Sequence, residues 1–272
     1  MLRKLLKYEF AATARYILPL LGLLFVMSAA AALCIRLLSS GYTGRAAAVM
    51  AAIFVVLFFL SVMALAVVTL VVVVYRFYKN LLCAEGYLMH SLPVGVHTLI
   101  WSKLICALCW SVLTGLCIYG CVFAVAFRAE VWAEVLSELR ALFERLSAAY
   151  GIGAFELLSV LLELAALLLL GTVSSILLFY ASLAIGHSFR KNRLLISAGV
   201  FLGLGLLAQL LSMLLALVTG YSFRGFITVL GLRALAQFGH ALLIGGIALS
   251  AVWCVALYLV TARMLGRHLE LE

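Results

Sequence analysis

AVMAAIFVVLFFLSVMALAVVTLVVVVY, residues 48–75, runs for 28 positions without a charged side chain. A hydrocarbon core about 30 Å thick is crossed by roughly 20 apolar residues in a helix. This run is therefore long enough to span a bilayer, with residues to spare for tilt or for projection beyond it. Similar uncharged or nearly uncharged runs lie near 16–37, 104–127, 158–185, 194–219 and 241–262. The composition agrees: 68% of residues are hydrophobic and only 11% charged, against roughly 25% charged in soluble domains, and the mean hydropathy is +1.29. The reading is an all-α, polytopic integral membrane protein with six transmembrane helices. The first run follows a charged, amphipathic start, is long enough to span and lacks a small-residue cleavage site, so it is expected to remain in the mature chain rather than act as a cleaved signal.

The formal charge of +9 raises the question of nucleic acid, but topology accounts for it. With both termini cytoplasmic, Arg3, Lys4, Lys7, Arg15, Arg76, Lys79, Lys103, Arg190, Lys191, Arg193, Arg263 and Arg267 lie inside. Arg36, Arg45, Arg128, Arg140, Arg145, Arg224 and Arg233 lie outside. Twelve against seven fits the retention of positive residues at the inner ends of spans. The partner this charge implies is the lipid bilayer, and no nucleic acid is expected. The seven cysteines fall mostly within spans, where they act as small apolar residues. Cys106 and Cys109 form a CxxC with no histidine or further thiol at metal spacing, so packing is expected there and no metal site.

Between the spans the chain is amphipathic or punctuated. Residues 1–15 read as an interfacial helix, with Leu2, Leu5, Leu6 and Phe10 towards lipid and Arg3, Lys4, Lys7 and Glu9 towards water; Tyr8 lies in the same segment. The outside segment 128–157 repeats Glu130, Glu134 and Glu138 every four residues against Val131, Val135, Leu139, Leu142 and Leu146, an amphipathic helix. GHSFRKNR, residues 186–193, is a basic inside turn. Residues 220–240 are too apolar for a free loop and too polar to span, which suits a re-entrant or surface-lying pair of short helices.

The apolar run 48–75 continues into RFYKNLLCAEGYLMHSLPVGVHTLIWSK, residues 76–103. Glu85 and Gly86 interrupt the helix, Tyr87 to Leu92 make one or two helical turns, and Pro93 ends them, because a residue before proline is biased away from the helical region. Gly95 or Thr98 then starts the next helix. Tyr87, Leu88, Met89 and Leu92 form an apolar knob between Lys79, Glu85 and His90. Such a knob either docks in a protein groove, where a few apolar anchors supply most of the binding energy, or lies on the bilayer interface.

Glu85, Gly86, Tyr87, Leu88, Leu92, Pro93 and Val94, with Lys103 at the following span, resemble the segment between the second and third spans of the permease subunits of type-two-class ABC exporters. The N-terminal residues Leu5, Leu6, Tyr8, Glu9 and Phe10 are similar to that family's connecting helix, and the segment 220–240 to its re-entrant helices. Gly95 stands where many relatives have a serine or another capping residue, and glycine is a tolerable N-cap. The resemblance implies a single transmembrane permease domain over 1–272, with a cytoplasmic coupling helix in the loop 76–103 whose contacts to an ATPase come from Glu85, Gly86, Tyr87, Leu88, Met89, Leu92, Pro93 and Val94. It further implies an ATP-binding ABC subunit, a second permease copy as homodimer or heterodimer, a bacterial cytoplasmic membrane, and export of an amphipathic, peptide or lipid-like compound.

No GxxxxGK[ST] phosphate loop occurs in the sequence. The chain is thus expected not to be an enzyme and to bind no cofactor itself, with ATP and Mg on the partner subunit. No GxSG, no HExxH and no adjacent glutamate pair argues for intramembrane hydrolysis. Two other readings stay open. Glu163, an acid about two turns into the fourth span, would serve an ion-coupled secondary transporter, or the chain is a membrane scaffold that transports nothing.

Overall fold

The computed structural model describes residues 2–40, 44–82, 95–127, 129–150, 154–189, 192–230 and 233–267. Seven helices run through them: α1 (Leu2–Ser39), α2 (Arg45–Leu82), α3 (Val96–Ala126), α4 (Ala129–Tyr150), α5 (Ala154–His187), α6 (Arg193–Leu230) and α7 (Arg233–Arg267). All but α4 are long and apolar enough to cross a membrane. The chain is a multi-pass membrane protein. Hydrocarbon offers no partner for a backbone N–H or C=O, so each apolar run folds as a helix that satisfies its own ladder.

α1 and α2 each have 38 residues, about 57 Å at 1.5 Å per residue. That is nearly twice the hydrocarbon thickness, so both carry well past it or tilt strongly. The segment 1–15 is not a separate helix: α1 continues from it through Pro19 into the first span. Proline removes one intrahelical hydrogen bond, a loss tolerated in membrane helices where neighbours pack against them. Residues 220–240 are helical on both sides of 231–232, and each part is continuous with a span, the first closing α6 and the second opening α7.

The chain divides into two compact units, 1–133 and 134–272. In the first, α1 packs against both α2 and α3, and α2 touches α3 less extensively. The buried stripe of α1 is Glu9, Thr13, Ile17, Leu21, Leu24, Ser28 and Ala31, spaced by three or four residues as one face of a helix requires. α2 answers with Phe58, Leu65, Thr69, Val73, Phe77 and Leu81. Ile17, Leu24, Phe58 and Leu65 share a core with Cys106, Trp110 and Cys121 of α3. Lipid is as apolar as these side chains, so close packing and interhelical hydrogen bonds hold the helices together rather than the hydrophobic effect. Gly95 caps α3 with extended dihedrals (φ −65°, ψ 148°) and no side-chain bond.

α4 is the expected amphipathic helix. At its start Trp132 packs on the end of α3, with ring centroids 4.7 Å from Phe123 and 6.2 Å from Phe127.

In the second unit α5 packs against α7 and α6, and α6 against α7. Contacts between α5 and α7 rise together along both helices, from Glu163 with His240 through Leu170 with Cys254 to Ser188 with Met264, so the two run parallel. α5 turns into α6 through Asn192, whose φ of 55° lies in the left-handed region that asparagine tolerates better than most residues. There Gly186 faces Ser197 so closely that a Cβ on Gly186 would overlap Ser197 Oγ and lie 2.8 Å from Ser197 Cα.

Candidate functional site

The most unusual chemistry among the described residues is a carboxylate in the packed interior of the first unit. Glu9 is 5% exposed. It sits four residues before Thr13 and eight before Ile17, so it prolongs the buried stripe of α1. Lys103, whose side chain is 3% exposed, pairs with Glu9 Oε1. Arg76 donates its Nε–H to Glu9 Oε2 at 3.1 Å, and Asn80 Nδ2 lies 3.4 Å from Oε1, a long and weak contact. Arg76 and Asn80 are one turn apart on α2, so both reach the same carboxylate.

One turn further along α1, Thr13 continues the polar seam. Its hydroxyl donates to the Glu9 carbonyl at 2.8 Å and accepts Trp110 Nε1–H at 2.6 Å, giving a buried indole the partner it needs. Cys106 Sγ lies 3.7 Å from the same hydroxyl. Phe10 rests against Trp110 with ring centroids 6.2 Å apart. Lys103, Cys106 and Trp110 follow the three- and four-residue spacing of one face of α3, which therefore runs parallel to α1.

Burial makes this cluster strong as a tie. Removing one partner of a buried ion pair costs about 3–5 kcal/mol, because the other charge is left without compensation. Both carboxylate oxygens are engaged by cations, so Glu9 holds three helices in register rather than offering a base to a substrate. Its place matters as much. Arg76 and Asn80 lie in the last two turns of α2, and Lys103 two turns into α3. The chain between these helix ends is the segment 83–94, and Glu9 ties both ends to α1.

Glu9 and Phe10 thus depart from the sequence expectation. Glu9 does not share the water face of Arg3, Lys4 and Lys7, and Phe10 is half-buried against α3 instead of facing lipid. The reason is that α1 packs against both α2 and α3, and its inner stripe begins as early as Glu9. Leu5 and Leu6 are partly buried, and Tyr8 is 73% exposed. Glu85, Gly86, Tyr87, Leu88, Met89, Leu92, Pro93 and Val94 lie outside the described residues.

Glu163 has a partner that its sequence surroundings do not reveal: His240 Nδ1 of α7 lies 2.9 and 3.0 Å from its two carboxylate oxygens. The side chains are 17% and 27% exposed, Glu163 the lower. The pair joins α5 to α7. Arg76, Asn80, Thr13, Trp110 and His240 were not singled out by sequence as parts of a site; the only signal for Glu9 was its isolation, since no other acid occurs in residues 1–84.

No protein-family model matches the chain, and neither a curated protein nor a solved structure matches it significantly.

Proposed function

We propose that the chain is the membrane-spanning permease subunit of an ATP-driven exporter of the type-two ABC class, with ATP bound and hydrolysed by a separate subunit. The observation that carries this reading is the Glu9 cluster. A segment pushed by a partner moves the spans only if the helix ends beside it are fixed to the rest of the bundle, and Glu9 fixes the ends on either side of 83–94 to α1. In this reading both termini are cytoplasmic, and residues 85–93 form the coupling helix, docking through Leu88 and its apolar neighbours. Closure of the ATPase subunits presses on that helix, and α2 and α3 take α1 with them through Arg76, Lys103 and Glu9.

A six-span chain encloses a pathway with a second copy, as homodimer or heterodimer, with spans one, two and five facing it. The fifth span suits this role, since none of its most apolar stretch is buried within the chain. An apolar lining implies an amphipathic, peptide or lipid-like cargo.

The test is purification of the tagged chain from its native membrane in mild detergent. An ATPase polypeptide should co-purify with the wild type, be lost with Leu88→Asp, and remain with Glu9→Gln while its stimulation by the permease falls. Absence of any ATPase, under conditions that preserve other membrane complexes, overturns the reading.

A further inference from the structure

α4 (Ala129–Tyr150) falls short of the apolar content of a span, and within the second unit it packs extensively on none of α5, α6 and α7. We propose that α4 lies in the plane of the membrane, seating Val135, Leu136, Leu139 and Leu142 at the boundary between head groups and acyl chains, with its acidic side in water. The inference needs only the membrane location and is independent of the permease reading.

The helix has two unlike sides. At 3.6 residues per turn, Trp132, Val135, Leu136, Leu139 and Leu142 fall within an arc of about 120°. Glu134, Ser137, Glu138, Arg140, Glu144 and Arg145 take the rest of the circumference, all of them exposed. The apolar arc is left open as well: Val135 is 37% exposed, and Leu136, Leu139 and Leu142 are 55%, 53% and 52% exposed. Exposed leucines on a span face lipid as a matter of course. On a helix too polar to span, a contiguous apolar strip marks a surface that something else covers.

Chain connectivity decides between water and membrane. α3 stays apolar up to its end, with Tyr119, Phe123 and Phe127 exposed, and α5 is apolar from its start, with Phe155, Leu157 and Leu158 exposed. Two residues, 127–128, lead from α3 into α4, and three, 151–153, lead from α4 into α5. Between them stand 22 helical residues, about 33 Å at 1.5 Å per residue. An upright helix would carry one end about that far from the bilayer, whereas from Tyr150 to Ala154 the chain reaches at most about 14 Å. Both ends of α4 are therefore held near the membrane, and its length lies along the surface. Phe127 has extended dihedrals (φ −69°, ψ 109°), so α4 does not prolong α3. Trp132, resting on Phe123 and Phe127, sets the first turn at the level where indole rings concentrate.

A second copy of α4 is the other cover that this strip could take. The arc is broad for that purpose, because the seam of a two-helix coil is a narrower stripe. The bilayer, in contrast, lies beside the helix in every molecule. The polar side shows how the helix is held there. Glu134, Glu138 and Glu144 outnumber Arg140 and Arg145, so anionic head groups do not draw α4 in; apolar burial does, to a depth of about 5–10 Å. α4 thus keeps the adjoining ends of α3 and α5 at head-group level and presents an acidic strip to the water.

The test is photo-crosslinking of the full chain in phosphatidylcholine liposomes, with p-benzoylphenylalanine in place of Leu136, Leu139, Ser137 or Glu144 and lipid adducts read by intact mass. Positions 136 and 139 should give phosphatidylcholine adducts in several-fold the yield of 137 and 144. Leu136→Glu together with Leu142→Glu should lower the adduct at 139 about ten-fold or more, since each seated leucine contributes roughly a factor of ten to the seated population. Unchanged melting of that variant separates a lifted helix from a lost fold. Replacing part of the phosphatidylcholine by phosphatidylglycerol should leave the yield at 139 unchanged or lower it. Equal lipid adducts at all four positions, or none at 136 and 139, overturn the proposal. Covalent dimers at 136 and 139 in place of lipid adducts overturn it in favour of a second copy. A several-fold rise with phosphatidylglycerol overturns the apolar attachment and assigns it to Arg140 and Arg145.

Discussion

Replacing Glu9 with glutamine keeps the shape of the side chain and removes its charge. Lys103 then remains 3% exposed without the Glu9 carboxylate, and removing one partner of a buried ion pair costs about 3–5 kcal/mol. That corresponds to roughly a hundred- to several-thousand-fold shift in the unfolding equilibrium. Arg76 behaves differently. At 20% exposed it can turn part of its guanidinium to water, so Arg76→Gln, which leaves the Glu9–Lys103 pair whole, should cost only about 1–2 kcal/mol. The decisive variant is the double change Glu9→Leu with Lys103→Met. Well-packed apolar residues often replace a buried ion pair at little loss, so it should fall within about 2 kcal/mol of the wild type, the remainder being the lost Arg76 contact, while Glu9→Leu and Lys103→Met alone stay far below it. Reversible unfolding by steric trapping in bicelles measures the wild type and every one of these variants on one scale. If Glu9→Gln loses less than about 1 kcal/mol, or the double variant is no more stable than the singles, the cluster is not a desolvated tie and the argument built on it fails.

Three further outcomes follow from the same packing. Trp110→Phe deletes the donor to Thr13 but keeps the ring against Phe10, so it should cost about 0.5–1.5 kcal/mol; a loss above about 3 kcal/mol in the same assay would mean that the indole fills space the phenyl cannot. Gly186→Ala should cost about 1–3 kcal/mol through overpacking against Ser197 and be partly rescued by Ser197→Gly, whereas a neutral Gly186→Ala would refute the close approach of α5 and α6. A double-mutant cycle on Glu163→Ala and His240→Ala should give a coupling of about 0.5–1 kcal/mol, modest because both side chains keep some exposure. Zero coupling would remove the pair as a link between α5 and α7.

The six spans were legible in the sequence because bilayer thickness imposes a length and an apolar content that composition reveals directly, and the amphipathic helix 129–150 was legible from its glutamate repeat. The Gly95 start of α3 was likewise one of two sites that turn chemistry allowed. What escaped was long-range pairing. The alternation of Arg3, Lys4 and Lys7 with leucines placed Glu9 among the water-facing charges, since local periodicity assigns a charge to the face of its neighbours. Its partners lie 67, 71 and 94 residues away, and nothing in the spacing of α1 points to them. The stripe Thr13, Ile17 and Leu21 projected backwards would have reached Glu9, but only to a reader willing to place an acid in the interior. Glu163 and His240, 77 residues apart, escaped for the same reason, each looking like a lone polar residue near the end of a span.

The sequence separation of Glu9 from its partners also has a temporal side. A ribosome adding about 5–20 residues per second makes Lys103 roughly 5–19 seconds after Glu9, given the 94 residues between them. Throughout that interval the newly inserted α1 carries an acid that no cation on α3 can yet neutralise, and Arg76 arrives only in the later part of it. The first hairpin of the nascent chain is therefore held loosely, by side-chain packing alone, until α2 is nearly complete. Lys103 closes the unit when the third helix leaves the exit tunnel. A chain arrested before that residue would present a half-built bundle with an exposed acid at its seam, the kind of defect by which membrane quality control could tell an unfinished copy from a finished one.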